Sequence, residues 1–190
     1  MDNEGFLLTM DKFTEIANYY EENLIGRVFE IVVKRKNKTM NLNLRFSKIN
    51  FKHLLGLHKL RDLPFLTAKS QSLYHSALMG KLTLSDLKKS KYYKGIESRI
   101  DNFQAMKNLL FSKELFFKSL KGEFGTLIKA DYLLAQKTES GYVYLFLKDE
   151  IDFIAPISFF CDHSDKYFRK NAVSWKILSV EETDFTKKGL

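Results

Sequence analysis

The chain has 190 residues, one Cys, two Pro and a formal net charge of +8, a size that fits a single compact domain. Apolar residues make up 45% of it, enough to close a core and too many for a disordered or linker protein. A lone Cys161 excludes a disulfide framework or cysteine-rich zinc module, and no apolar run reaches membrane-spanning length. The expectation is therefore a soluble, cytoplasmic protein that meets no membrane, monomeric or weakly dimeric.

In chain order, the first expected element is an amphipathic helix over 10–24. Met10, Phe13, Ala17, Tyr20 and Leu24 fall three to four apart, Thr9 can cap its start, and Gly26 can end it. A hairpin follows, Val28–Arg35 and Thr39–Phe46 around Lys36-Asn37-Lys38. In its second strand Met40, Leu42, Leu44 and Phe46 alternate with Asn41, Asn43 and Arg45, which predicts one buried and one wet, basic face.

Ser47 or Asn50 can cap a short helix over Phe51–Leu55 that stops near Gly56. Residues 67–79 and 84–94 read as exposed helices, and a longer helix over 96–111 carries Ile96, Ile100, Phe103, Met106 and Leu110 on its inner stripe. After Gly122 and Gly125 the pattern turns to strands: Thr126–Gln136, Tyr142–Leu147, Phe153–Phe160 and Trp175–Val180. Pro156 marks an edge or a bulge in the third. The predicted class is α+β in one domain, with an acidic helix to residue 26, a hairpin plus helices over 27–121, and an antiparallel sheet of about four strands over 122–183.

The charge is segregated. Residues 1–30 carry seven acids and two bases, a balance of −5, so the remainder carries +13. Residues 31–61 hold nine bases and no acid. Such a stretch points to a polyanion, most simply nucleic acid, with RNA or a ribonucleoprotein complex as the expected partner and Lys34, Arg35, Lys36, Lys38, Arg45, Lys48, Lys52 and Arg61 as its contacts. The competing reading is a solvated lysine-rich face. The acidic first helix is expected to dock on a basic partner or on the chain's own basic face.

No phosphate loop, dinucleotide fingerprint, paired metal ligands or nucleophile elbow occurs, so no cofactor and no metal is expected. What remains is Asn50-Phe51-Lys52-His53-Leu54-Leu55-Gly56-Leu57-His58-Lys59-Leu60-Arg61-Asp62, with two of the four His. In a helix Phe51, Leu54 and Leu55 point inward, leaving Lys52 and His53 on the open face. His58 and Lys59 lie beyond the turn at Gly56. Metal-free RNA cleavage needs a base for the 2′-hydroxyl, an acid for the leaving 5′-oxygen and cations for the phosphorane charge, which His and Lys supply near neutral pH. Against this, a His on a short helix often only hydrogen-bonds a turn, and a His–x₄–His spacing does not put both rings on one helical face. His75, His163, Cys161 and Tyr92-Tyr93 carry weaker signals.

Asn-Phe-Lys-His-Leu-Leu-Gly-Leu-His-Lys-Leu resembles the hallmark of a phage- and mobile-element-associated family of small nuclease-like domains, grouped with barnase, EndoU, colicin and RelE. The likeness continues through Lys81–Leu87, Tyr92-Tyr93, Ile96, Arg99-Ile100, Pro156–Phe160 and Trp175–Leu178, covering roughly residues 10–183. It implies a barnase/RelE-like helix-then-sheet fold, metal-independent RNA cleavage and a toxin or anti-defence role, including an anti-CRISPR protein that damages guide RNA. Carried over, it makes His53 the leading acid–base group with His58 and Lys59 as neighbours, Ser158 a phosphate contact and Lys129 a cation on the facing strand. The alternative is a non-catalytic basic protein that clamps phosphates and inhibits a host nucleoprotein complex.

Overall fold

The computed structural model describes residues 10–119, 128–139, 141–163, 167 and 172–185. Asp11 starts helix α1 (Lys12–Asn23): its carboxylate accepts from the Phe13 N–H at 2.9 Å and from the Leu84 N–H at 3.0 Å. Asp11 is thus the cap, one helix start tied to another, and the expected Thr9 lies outside the described residues. Phe13, Ile16, Ala17 and Tyr20 are fully or almost fully buried. They make α1 a wall of the core rather than an acidic arm laid on a basic face.

Strands β1 (Arg27–Arg35) and β2 (Lys38–Arg45) form the expected hairpin, in register from Val28↔Arg45 to Arg35↔Lys38. Beyond it come α2 (Phe51–Leu54), α3 (Ser70–Leu78), α4 (Leu84–Lys88), α5 (Glu97–Asn102) and α6 (Met106–Phe111). The expected helix over 84–94 shrinks to α4 and a 3₁₀ turn at Tyr93–Gly95, and that over 96–111 is broken by a 3₁₀ turn at Phe103–Ala105. Short pieces follow the curvature of the core they cover, and burial of Ile96, Ile100, Phe103 and Met106 keeps the predicted stripe intact.

An open C-terminal sheet of about four strands does not form. With β3 (Leu115–Ser119), β4 (Tyr132–Thr138), β5 (Gly141–Asp149), β6 (Ile154–Asp162) and β7 (Ala172–Asp184), seven strands close into a mixed barrel in the order β1-β2-β6-β5-β4-β3-β7. The cause is β7. Its first residues pair with β3, and its remainder pairs with β1 from Arg27↔Asp184 to Lys34↔Lys176. The hairpin therefore joins the C-terminal strands, and its β2 meets β6 at the single parallel pair Leu44↔Ile154. Phe29, Ile31 and Val33 share one buried face and Val28 is buried on the other, so β1 is unsuited to a free edge.

The strand expected over Thr126–Gln136 begins at Tyr132, with 126 and 127 outside the described residues. Pro156 sits at a bulge: Phe146 opposes Ser158 and Leu147 opposes Pro156, leaving Ile157 as the extra residue.

One core runs from the helices across one face of the barrel strands. Its hub is Phe51, whose ring centroid lies 5.0 Å from Tyr74, 5.4 Å from Tyr20 and 5.9 Å from Phe13. Burying such a ring contributes roughly 1.5–3 kcal/mol, and here it anchors the four-residue α2. A second cluster, built on Leu133, Tyr144 and Phe146 with Ile157, Phe160 and Tyr167 against it, covers the other face. Helices α2 and α5 pack against β6 where its ladder to β2 runs out.

Candidate active site

The segment after β2 is folded by local bonds. The Asn50 side-chain oxygen accepts from Ser47 N–H and Oγ–H, each at 2.8 Å, and Phe51 and Leu54 pull α2 inward. At Gly56 the chain takes φ +73°, and a 3₁₀ turn over Leu57–Lys59 begins. A side chain at position 56 would be strained by that φ, and its Cβ would lie 3.0 Å from Ile96 Cγ2 and 3.1 Å from Arg99 Cδ. The left-handed turn brings the two imidazoles together across four intervening residues. The ring centroids of His53 and His58 are 5.0 Å apart with a 39° tilt, and both residues reach solvent while their rings are partly shielded.

Cations surround this pair. Arg99, on α5, is only 5% exposed. Its guanidinium lies 5.3 Å from the Phe160 ring centroid, and one nitrogen donates at 3.4 Å to the carbonyls of His53 and Leu54. Among the described residues no carboxylate pairs with it. Arg99 therefore holds the turn that carries both rings while its charge stays uncompensated, a costly arrangement for a buried ion. Burial lowers its pKa to about 10. Lys59, beside it, is also lowered, by burial and then by Arg99.

The rings respond to the same field. Loss of water and then the Lys52 ammonium lower the pKa of His53. His58 falls to about 4, through burial first and then the charges of His53, Arg99, Lys59 and Lys52. Both are neutral bases at pH 7 in the free protein. An anion placed among these cations reverses the Coulombic part of the shift and favours protonation.

Next to the pair lies a hollow of about 300 Å³, lined by Lys59, Ser98, Arg99, Phe160, Cys161 and Tyr167 among others, with no carboxylate among the described residues of its lining. Burial pushes the Cys161 thiol up to about 11, so it is a neutral wall. The arrangement suits a phosphate: the hollow offers an ammonium, a guanidinium and an aromatic wall, and Lys59 and Arg99 tie it to the His pair, whose rings are not themselves in its lining.

His53, His58, Lys59 and Lys52 are thus brought together. Lys52 also donates to the Ala68 carbonyl at 3.1 Å. Lys129 is exposed and Ser158 buried, and neither lines the hollow; Ile128 does. Lys34, Arg35, Lys36 and Lys38 stand exposed at the hairpin tip, where Trp175 borders a separate hollow. At about 3.4 Å per residue, the tip is roughly 24 Å along β2 from Arg45. Arg45 stacks on Phe153 and Phe185, the Lys48 ammonium lies 5.7 Å from the Tyr74 ring centroid, and Arg61 is exposed. Arg99 and Phe160 escape the sequence reading as site residues. The available signal is that Arg99 falls on the Ile96–Phe103 stripe, a charge at helical spacing among core residues.

Comparison with protein-family models matches residues 12–186 to phage-Barnase-EndoU-ColicinE5/D-RelE like nuclease4. No curated protein and no solved structure gives a significant match.

Proposed function

Because the chain belongs to the phage-Barnase-EndoU-ColicinE5/D-RelE like nuclease family, we propose that it cleaves RNA by acid–base chemistry at the His53–His58 pair. The observation that carries this reading is the 5.0 Å approach of the two rings beside the buried Arg99, which no carboxylate among the described residues pairs. His53, the ring next to Lys52, takes the proton of the ribose 2′-hydroxyl as that oxygen attacks phosphorus. The bond from phosphorus to the 5′-oxygen breaks, and His58, protonated once the substrate's phosphate offsets the surrounding cations, gives that oxygen a proton. Lys59 and Arg99 face the charge that gathers on the phosphorane oxygens. The products are a 2′,3′-cyclic phosphate and a 5′-hydroxyl.

The role that fits a phage-associated nuclease family is conflict between a mobile element and its host, as a toxin or as an anti-defence factor such as an anti-CRISPR protein acting on guide RNA. No helix is long and apolar enough to cross a membrane among the described residues.

The test is incubation of the wild type, His53→Ala and His58→Ala with total RNA in EDTA. Wild type should produce fragments ending in 2′,3′-cyclic phosphate, and each variant should be slower by about 10²–10⁴. Salt-sensitive RNA binding without cleavage by any of the three would replace the enzyme with a phosphate clamp.

A further inference from the structure

A second hollow, of about 450 Å³, lies before α2 and is bordered by Arg27, Arg45, Asn50, Phe153, Ile157 and Phe185 among others. The Arg45 guanidinium carbon is 4.7 Å from the Phe185 ring centroid and 5.3 Å from that of Phe153. Its Nε is buried without a hydrogen-bond partner. Among the described residues Arg45 forms no ion pair, although Glu150 borders the same hollow. Arg27, by contrast, is paired with Asp184 at 2.5 Å and Glu182 at 3.6 Å. Phe185 is 51% exposed, with Ile49 open beside it. An unpaired guanidinium stacked on two phenyl rings, one wet, is chemistry that accepts a planar π-system next to negative charge.

Position ties this hollow to the first. On β6, Ala155 and Ile157 border it, while Phe160 and Cys161 border the Arg99 hollow. On the helical side Ile49 and Asn50 border it and Lys59 the other, with His53 between them in the chain. Ile157 and Phe160, one from each lining, pack against the same aromatic cluster and so share one face of the sheet. Ile157 and Phe160 are three positions apart on β6, about 10 Å. A chain with alternating charge and aromatic groups spans that distance; a free nucleotide or a simple anion uses only one end.

We propose that the Arg45–Phe153–Phe185 hollow is a nucleobase subsite for single-stranded RNA whose cleaved phosphate lies at the His pair. The subsite rests on the ribonuclease reading above. A base stacks on the open Phe185 ring, and Arg45 offers its unused donors to the base or to the phosphate that follows it.

The experiment uses the full chain carrying His53→Ala, so that RNA survives, and a short oligoribonucleotide with 2-aminopurine at its centre. Binding should quench the probe's fluorescence. Adding Phe185→Ala should abolish most of the quench and raise Kd about tenfold, the scale of one lost base stack. Phe185→Trp should restore both, and Arg45→Gln should weaken binding. Thermal melting confirms that substitutions at the exposed position 185 leave the fold intact. Quench and affinity indifferent to position 185 would overturn the subsite, as they would if the hollow instead holds a protein segment; so would the absence of any binding. The two readings fail separately. An oligonucleotide that stacks on Phe185 but is never cut by the chain retaining His53 sinks the nuclease alone, and cleavage with no dependence on Phe185 sinks the subsite alone.

Discussion

At the hairpin tip, Lys34, Arg35, Lys36 and Lys38 stand in water on a two-stranded ribbon. In the cleft, Lys52 and Lys59 join Arg99 around two imidazoles, on pieces drawn from two distant parts of the chain. The tip is denser in charge along the sequence, yet only in the cleft do cations press on one another and on titratable rings. What separates them is burial: charges in water are screened over about 10 Å at ordinary salt, whereas Arg99, pinned against Phe160 and beside Gly56, is shielded from that screening. A run of bases in sequence therefore marks a surface that attracts RNA, and convergence on a hollow marks a site able to act on it.

The sharpest way to break this contrast is Gly56→Ala, which leaves every charge in place. The left-handed φ costs roughly 1–2 kcal/mol for a residue with a Cβ, and the contacts with Ile96 and Arg99 force the turn to shift. Misplacing reacting groups by about 1 Å costs on the order of 10²-fold. The expected result is a lower urea midpoint and a drop in kcat/KM of that order; a wild-type rate in the folded variant would show that the turn does not position the rings. Neutralising the tip by Lys34→Gln, Arg35→Gln, Lys36→Gln and Lys38→Gln should have the smaller effect. Affinity for RNA weakens, the slope of log K against log salt falls by up to about 3, and kcat stays put. A fall in kcat matching that of the cleft variants would erase the distinction between the two regions.

The legibility of the molecule in its sequence follows the range of the forces involved. The hairpin, α1 and the turn at Gly56 were written locally, in alternation, helical spacing and one glycine, and so His53, His58 and Lys59 emerged together. Arg99 was written on the same terms, as a charge on an apolar stripe, but its meaning depends on Gly56 and Phe160, 43 and 61 residues away in sequence. Barrel closure depends on β7 pairing with both β3 and β1, a long-range choice that the polar residues of Lys176–Asp184 do not advertise. The bulge opposite Leu147 shows the same limit. Pro156 signalled an irregularity, while the burial of Ser158 that comes with it required the partner strand.

The account stands on two imidazoles sharing one anion site, and their titration by NMR reads this directly. In the free protein His58 should titrate at about 4, below the ordinary 6.5, because its ring is partly shielded from water and its neighbours are cations. A 2′,3′-cyclic nucleotide monophosphate, added as a probe, should move both ring pKa values upward, since its negative charge stabilises the protonated forms. Rings that titrate the same way with and without the probe, at concentrations where it binds, would contradict the shared site and with it the chemistry assigned to the pair.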